Sequence, residues 1–317
     1  MKIINPSVEL YPQEDYTLEG IYRQIEKCAR VSYKSEDKIT ETSSKAFVDN
    51  LIKAGHYAPL EFGTVYLTIP GESEPNEWGQ VDNTFCCKGE YTYNKYSRIN
   101  WEWWDQEPVG MQKEFCRKIP RSKIHITTNF RVLVENGWLD DLKYLCAPTE
   151  YHYKRYCVKF TTDIGAAREF TRHRVFSFMQ ESTRYCNYSK DKFDNEITFI
   201  KPYWYKEVQL HSVTKNYTWQ SIDSQGFSIK DDFFIHNCKV AEDCYTHLLE
   251  AGCKPQEARQ VLPLATKTEL VMCGFEDDWK HFFDLRLRGT TGAPHPDAKY
   301  LAQETWNLFK DNYDVEL

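Results

Sequence analysis

Residues 163–185 read DIGAAREFTRHRVFSFMQESTRY, and four arginines fall within them: Arg168, Arg172, Arg174 and Arg184. Asp163 has the short acceptor side chain that starts helices, so the first half of the stretch reads as a helix capped by it. On that helix Arg168 and Arg172 stand four apart, where like charges repel by roughly 0.2–0.5 kcal/mol. An anion held between them removes the repulsion, and guanidinium forks match phosphate oxygens in pairs. Surface ion pairs to Glu169 and Glu181 explain the same charges, and spacing alone leaves both readings open.

Working outward, Tyr156, Val158 and Phe160 alternate as a strand leading into this stretch, and Leu270–Cys273 is a second β-rich run. Val65, Leu67 and Ile69 alternate with Thr64, Tyr66 and Thr68 as a half-buried strand. Leu18, Ile21, Ile25 and Ala29 mark one amphipathic helix. Phe47, Val48, Leu51 and Ile52 mark another, capped by Ser43 or Ser44 and ended at Gly55. A short helix holding Phe130, Leu133 and Val134 is capped by Thr127 or Thr128 and stops at Gly137. Further helices are expected through Val240 and Leu249, from Pro255, over Glu276 to Arg288, and after Pro296 with Leu301, Thr305, Leu308 and Phe309 on one face. This order of elements predicts an α+β fold. No repeat or linker divides it, so the expectation is one elaborated domain over 1–317. Two stretches lack any period, about 71–123 and 202–231. The first carries Trp78, Trp101, Trp103 and Trp104, either as a binding surface or as a cover over the sheet.

With 317 residues, 41% of them hydrophobic, the chain can bury a full core. Its net charge of −7 gives no global field for nucleic acid polymers or anionic membranes, so any anion site is local. The first twenty residues lack the apolar stretch of a secretory signal, and no run approaches the roughly 18 apolar residues that span a bilayer. The chain therefore reads as cytoplasmic. Eleven cysteines, with no C-x-x-C pair, fit reduced thiols. His236, Cys238, Cys244 and His247 are zinc-type residues, but Val240, Cys244, Leu248 and Ala251 recur at helical spacing. That makes Cys244 a core thiol, and no metal is assigned.

In EDDWKHFFDLRLR, Trp279, Phe282, Phe283 and Arg286 share one helical face, so Arg286 points toward the core side and needs a partner. A bound substrate oxygen serves, and so does an acid such as Asp284 or Glu269. Neither G-x-G-x-x-G nor a Walker-type loop is present, and no G-x-S-x-G elbow makes Ser177 or Ser182 a nucleophile.

Arg172-His173-Arg174, seven residues and Ser182 resemble the signature of the flavin-dependent thymidylate synthases. ARVSY at 29–33, GHYAPLEF at 55–62, EARQVLP at 257–263 and HFFDLR at 281–286, with His295 beyond, resemble the same family in the same order. The resemblance implies a central, largely antiparallel sheet packed with helices. It also implies a homotetramer with FAD at subunit interfaces, NADPH as reductant, methylenetetrahydrofolate as carbon donor, and conversion of dUMP to dTMP without a cysteine nucleophile. By the same resemblance Glu169, Arg172, Gln180, Glu181, Ser182, Thr183, Arg184, Arg259 and Arg286 hold dUMP. Arg286 is the catalytic group, stabilising the ionised uracil. Ser32, His56, Arg172, His173, Arg174, Gln180, His281 and His295 lie by the flavin. Gln180 and Glu169 exchange the family's usual Glu and Gln, Phe275 and Asp277 replace flavin contacts of short members, and Ala58 replaces a hydroxyl residue. A non-catalytic nucleotide binder that keeps the arginines is the competing reading. An aromatic single-strand nucleic acid binder is disfavoured by the acidic net charge.

Overall fold

The strand that organises the molecule is buried along almost its whole length: of Lys267–Phe275 only Lys267 is not sealed from solvent. Such a strand needs partners on both edges and cover on both faces, and it has them. The chain is described here as a computed structural model over residues 1–71, 90–91, 94–104, 121–190, 193–205 and 230–313. Among them the strands are β1 (Lys2–Ile4), β2 (Ser7–Leu10), β3 (Thr64–Gly71), β4 (Arg98–Trp104), β5 (Arg121–Asn129), β6 (Arg155–Asp163), β7 (Ser177–Gln180), β8 (Thr198–Ile200) and β9 (Lys267–Phe275). The helices are α1 (Leu18–Arg30), α2 (Ser43–Lys53), α3 (Phe130–Asn136), α4 (Ile164–Phe170), α5 (Lys230–Glu250), α6 (Pro255–Ala258), α7 (Glu276–Phe283) and α8 (Pro296–Asn312).

The expected α+β class and antiparallel pairing hold, with the strands divided among sheets. An antiparallel sheet of order β2-β6-β9-β7 is the hub, an antiparallel sheet β3-β5-β4 lies beside it, and β1 and β8 form a parallel pair. One core, between the hub and α7 and α8, is filled by Phe160, Phe170, Phe176, Trp279, Phe282 and Phe309. A second, under α1 and α2, gathers Ile21, Ile25, Val48, Val65, Leu67 and Ile126. Phe176 packs so closely on β9 that a Cβ at Gly274 would lie 2.4 Å from its ring, which is why that position carries no side chain.

Asp163 caps α4 as expected, its Oδ1 accepting from the Ala166 N–H at 2.8 Å. Other local expectations are corrected. α3 is capped by Asn129, the last residue of β5, whose Oδ1 accepts from the Val132 N–H; Thr127 and Thr128 lie further back in the strand. Ser43 and Ser44 lie inside α2 instead of capping it; Thr42 precedes the helix without a side-chain cap. The aperiodic stretch after residue 71 contains β4, whose partner β5 supplies register that no local pattern could show. Trp101 on β4 is 38% exposed, Trp78 lies outside the described residues, and so does most of 202–231.

α5 buries Ile235, Cys238, Ala241 and Tyr245, whereas Val240 and Cys244 face solvent, so the apolar face expected through Val240 and Cys244 is the wrong one. Cys157 and Cys273, directly opposed on β6 and β9, form a disulfide, contrary to the expectation of reduced thiols throughout. No helix among the described residues is long and apolar enough to cross a membrane.

Candidate active site

The resemblance-bearing residues collect in three neighbouring places. β7 separates two of them. Successive strand residues face opposite sides. Met179 lines a cavity of about 700 Å³, and the next residue, Gln180, lines one of about 620 Å³.

The first cavity is walled by Arg30, Ser32, Tyr33, His56 and Arg131. The Ser32 hydroxyl donates to the Ala29 carbonyl at 2.7 Å, just past the end of α1, which also fixes Arg30 against Glu26 at 2.5 Å. His56 follows the left-handed Gly55 that ends the α2 region, and its ring is exposed. Ala58, the departure from the family pattern, lies on the same wall.

The second cavity brings together Arg168, Gln180, Glu181, Ser182, Thr183 and Arg259. Arg259 Nη1 donates to Thr183 Oγ1 at 3.0 Å, tying two segments 76 residues apart, and Gln180 Nε2 donates to Thr268 Oγ1 at 3.2 Å. Arg184 lies outside this lining, donating to Gln256 Oε1 at 3.1 Å. The Ser182 N–H donates to the Ser32 carbonyl at 2.9 Å, so one hydrogen bond joins the walls of the two cavities.

Beneath Ser182 runs a chain of buried charge that sequence reasoning missed. Lys267 Nζ bridges Glu181 Oε2 and Glu269 Oε1, each at 2.8 Å, and Lys34 Nζ holds Glu269 Oε2 at 2.8 Å. Burial pushes the Glu181 carboxyl up in pKa, with Lys267 opposing it. In Glu269 burial also pushes upward, but Lys267 and Lys34 bring the carboxyl down to about 2. The alternation of Lys267 and Glu269 on one strand face was the available signal; their partners on 34 and 181 were not visible locally.

The third place is built on Arg286. α7 buries Trp279, Phe282 and Phe283 and then widens into a π-helical turn over Asp284–Arg288, a form that recurs at functional sites. From that turn Arg286 Nε donates to His173 Nε2 at 2.9 Å, Nη1 meets Glu169 Oε2 at 2.9 Å, and Nη2 donates to the Glu169 carbonyl at 2.5 Å. The partner is therefore Glu169; the acids considered from sequence are engaged elsewhere, Asp284 with Arg288 and Glu269 with the lysines. Burial, then the Arg286 charge, lowers the His173 pKa to about 4, so its imidazole is the neutral acceptor this geometry requires. His281 lies with its ring 6.4 Å from that of His173.

α4 ends at Phe170, so Arg172 is not on the helix with Arg168; it lies 3.2 Å from Glu169 with its side chain 70% exposed. The expected ion pair to Glu169 forms, whereas Glu181 pairs with Lys267. Arg174 is exposed, and its carbonyl accepts from Lys95. His295, exposed at the start of α8, stands 3.9 Å from Asp297. Phe275 is buried at the end of β9, and the exposed Asp277 lies 3.4 Å from Arg98. One chain thus gathers Gln180, Glu181, Ser182, Thr183 and Arg259 in one cavity, Ser32 and His56 in another, and Glu169, Arg172, His173 and Arg286 in a third cluster.

Residues 150–313, just over half of the chain and including the second cavity and the Arg286 cluster, match the sequence profile of the family described as thymidylate synthase complementing protein. Among curated relatives, the probable flavin-dependent thymidylate synthase of Paramecium bursaria Chlorella virus 1 is 26% identical over 148 residues, 46% of this chain and 63% of its own. The flavin-dependent thymidylate synthase of Synechocystis sp. is 28% identical over 150 residues, with the same coverages of 46% and 63%, and that of Haloarcula marismortui is 29% identical over 122 residues, 37% and 48%. The match thus spans less than two thirds of each of these relatives. A crystal structure of the UMP/dUMP methylase PolB from Streptomyces cacaoi bound with 5-Br dUMP aligns over 98% of this chain and 93% of its own at 16% identity. Its TM-score of 0.41 is too low to equate the two folds. On the profile match across residues 150–313, the chain belongs to the thymidylate synthase complementing protein family.

Proposed function

We propose that this protein is a flavin-dependent thymidylate synthase that methylates dUMP to dTMP, with methylenetetrahydrofolate as carbon donor and NADPH as reductant through FAD. The observation that carries the reading is the convergence of Arg168, Ser182, Thr183 and Arg259 on one cavity whose wall is hydrogen-bonded to that of the Ser32 and His56 cavity.

In this reading the guanidiniums of Arg168 and Arg259, with the Ser182 and Thr183 hydroxyls, take the nucleotide phosphate, and Gln180 and Glu181 complete that subsite. Arg184 and Arg172, exposed at the margins, reach the same ligand, and Arg172, His173 and Arg174 with His281 and His295 face the flavin. The 700 Å³ cavity bears the cations Arg30 and Arg131 beside the polar Ser32 and His56, a donor set that fits part of a flavin and its phosphates. FAD, when bound, supplies the redox chemistry. Arg286 is the catalytic group: held by neutral His173 and by Glu169, its guanidinium is oriented in advance to stabilise negative charge developing on the uracil ring. Among the described residues no cysteine lines either cavity, and burial pushes the Cys28 and Cys238 thiols up to about 12, which suits a mechanism without a cysteine nucleophile. Arg259 and Arg286 lie in separate clusters of one chain, which suits a homotetramer whose sites are shared between subunits.

Flavin-loaded protein reduced anaerobically and given dUMP and methylenetetrahydrofolate should form dTMP, whereas nucleotide binding without dTMP would support a non-catalytic binder. Arg286→Ala should abolish dTMP formation while its circular dichroism stays native. Normal turnover by that variant would overturn the assignment of Arg286.

A further inference from the structure

At the far end of β6 and β9 lies a cavity of about 460 Å³ that plays no part in the site above. Arg155, at its floor, pairs with Phe275, whereas Gln180 at the nucleotide cavity pairs with Leu270, five residues and about 17 Å further along β9. Arg155 is 9% exposed. Its Nη1 donates to the Glu61 carbonyl at 3.2 Å and Thr64 Oγ1 at 3.3 Å, and its buried Nε has no hydrogen-bond partner among the described residues.

The two carboxylates near this guanidinium are engaged with other arginines. Glu61 meets Arg131 at 2.6 Å, and Asp278 stands 3.7 Å from Arg98 while accepting from the Phe275 N–H. Arg155 itself is in no ion pair among the described residues, a costly state for a buried cation. Burial accordingly pulls its pKa down, but a guanidinium stays charged at neutral pH.

The walls above it are aromatic: Tyr16, Tyr66, Tyr156 and Tyr313 line the cavity. Tyr16 and Tyr66 meet edge to face at 5.4 Å, and Tyr156 and Tyr313 lie 4.3 Å apart at 30°. Burial raises the pKa of all four phenols, so they remain neutral and available as donors. Gln13 is locked by paired hydrogen bonds to the Thr64 backbone, giving a fixed wall. Lys154 and Glu150, both exposed, add one charge of each sign to the lining, so Arg155 is the cation not offset there.

We infer that this cavity is a second ligand site, separate from the nucleotide site, that takes a small aromatic carboxylate. The carboxylate meets the guanidinium of Arg155 and the ring lies between the tyrosines. A cavity of 460 Å³ is of the size that holds such a ligand. Guanidinium geometry favours a planar carboxylate, and the aromatic walls favour a flat ring behind it.

The test uses the full chain and isothermal titration with benzoate, benzamide and inorganic phosphate. Benzoate should bind one per chain, with benzamide and phosphate at least about tenfold weaker, because the first lacks the charge and the second the ring. Saturating dUMP should leave benzoate affinity unchanged. Tyr313→Ala, at the end of α8, and Arg155→Gln should each weaken benzoate about tenfold or more while leaving dUMP binding intact. Should Arg155→Gln fail to fold, the Tyr313→Ala comparison decides alone. No benzoate binding, equal binding of benzamide or phosphate, or displacement by dUMP would each overturn the inference, without touching the dTMP assay.

Discussion

His173 shows how far a single residue could be read. The Arg-His-Arg string was legible as a motif, but the roles of its members depend on contacts that spacing cannot supply. The helix ends two residues before Arg172, and a π-helical turn 113 residues away brings Arg286 onto the His173 ring. The resulting shift has a measurable sign. His173 titrates at about 4 when folded and near 6.5 when unfolded, so its contribution is complete above pH 6.5 and is lost as the pH falls toward 4. Allowing for partial screening, about 2 kcal/mol is at stake. NMR titration of the imidazole should find the low pKa, and His173→Asn should flatten the dependence of Tm on pH between 6.5 and 4. A ring titrating near 6.5 would show that neither burial nor the Arg286 charge acts on it as this packing requires.

At the scale of elements, α4 is the piece on which two clusters depend, since Arg168 lines the nucleotide cavity and Glu169 holds Arg286. Its start was legible because Asp before a helical pattern has one strong use, and the structure bears that out. Asp163→Ala should cost about 1 kcal/mol in urea unfolding and should also weaken dUMP binding. A loss of stability with unchanged binding would mean that the helix position does not govern the cavity. β4 and the buried face of α5 were not legible for a different reason. A strand inside an aperiodic aromatic stretch is specified by its partner, and α5 carries apolar residues on more than one face, so tertiary contacts chose between them.

For the whole molecule, the α+β class could be read from the order of elements and antiparallel pairing followed from the family resemblance, but the division into separate sheets could not be read from either. That division depends on long-range register, as between Cys157 and Cys273, 116 residues apart. The separation of Arg259 from Arg286 within one chain carries a prediction at this scale. If a complete site draws these two arginines from different subunits, Arg259→Ala and Arg286→Ala proteins, each inactive alone, should regain about a quarter of wild-type dTMP formation when unfolded together and refolded as mixed assemblies. A mixture as inactive as its parents would indicate that one chain supplies both groups.

The placement of Met179 and Gln180 on β7 has a mechanical consequence. Adjacent residues of one strand line the two cavities at that point, and the four-residue strand is anchored to β9 along its length. A ligand pressing on the thioether from one side therefore leans on the carboxamide at the other, and a slip of one residue would exchange the two side chains. Neither compartment can be reshaped at this strand while its neighbour stays as it was.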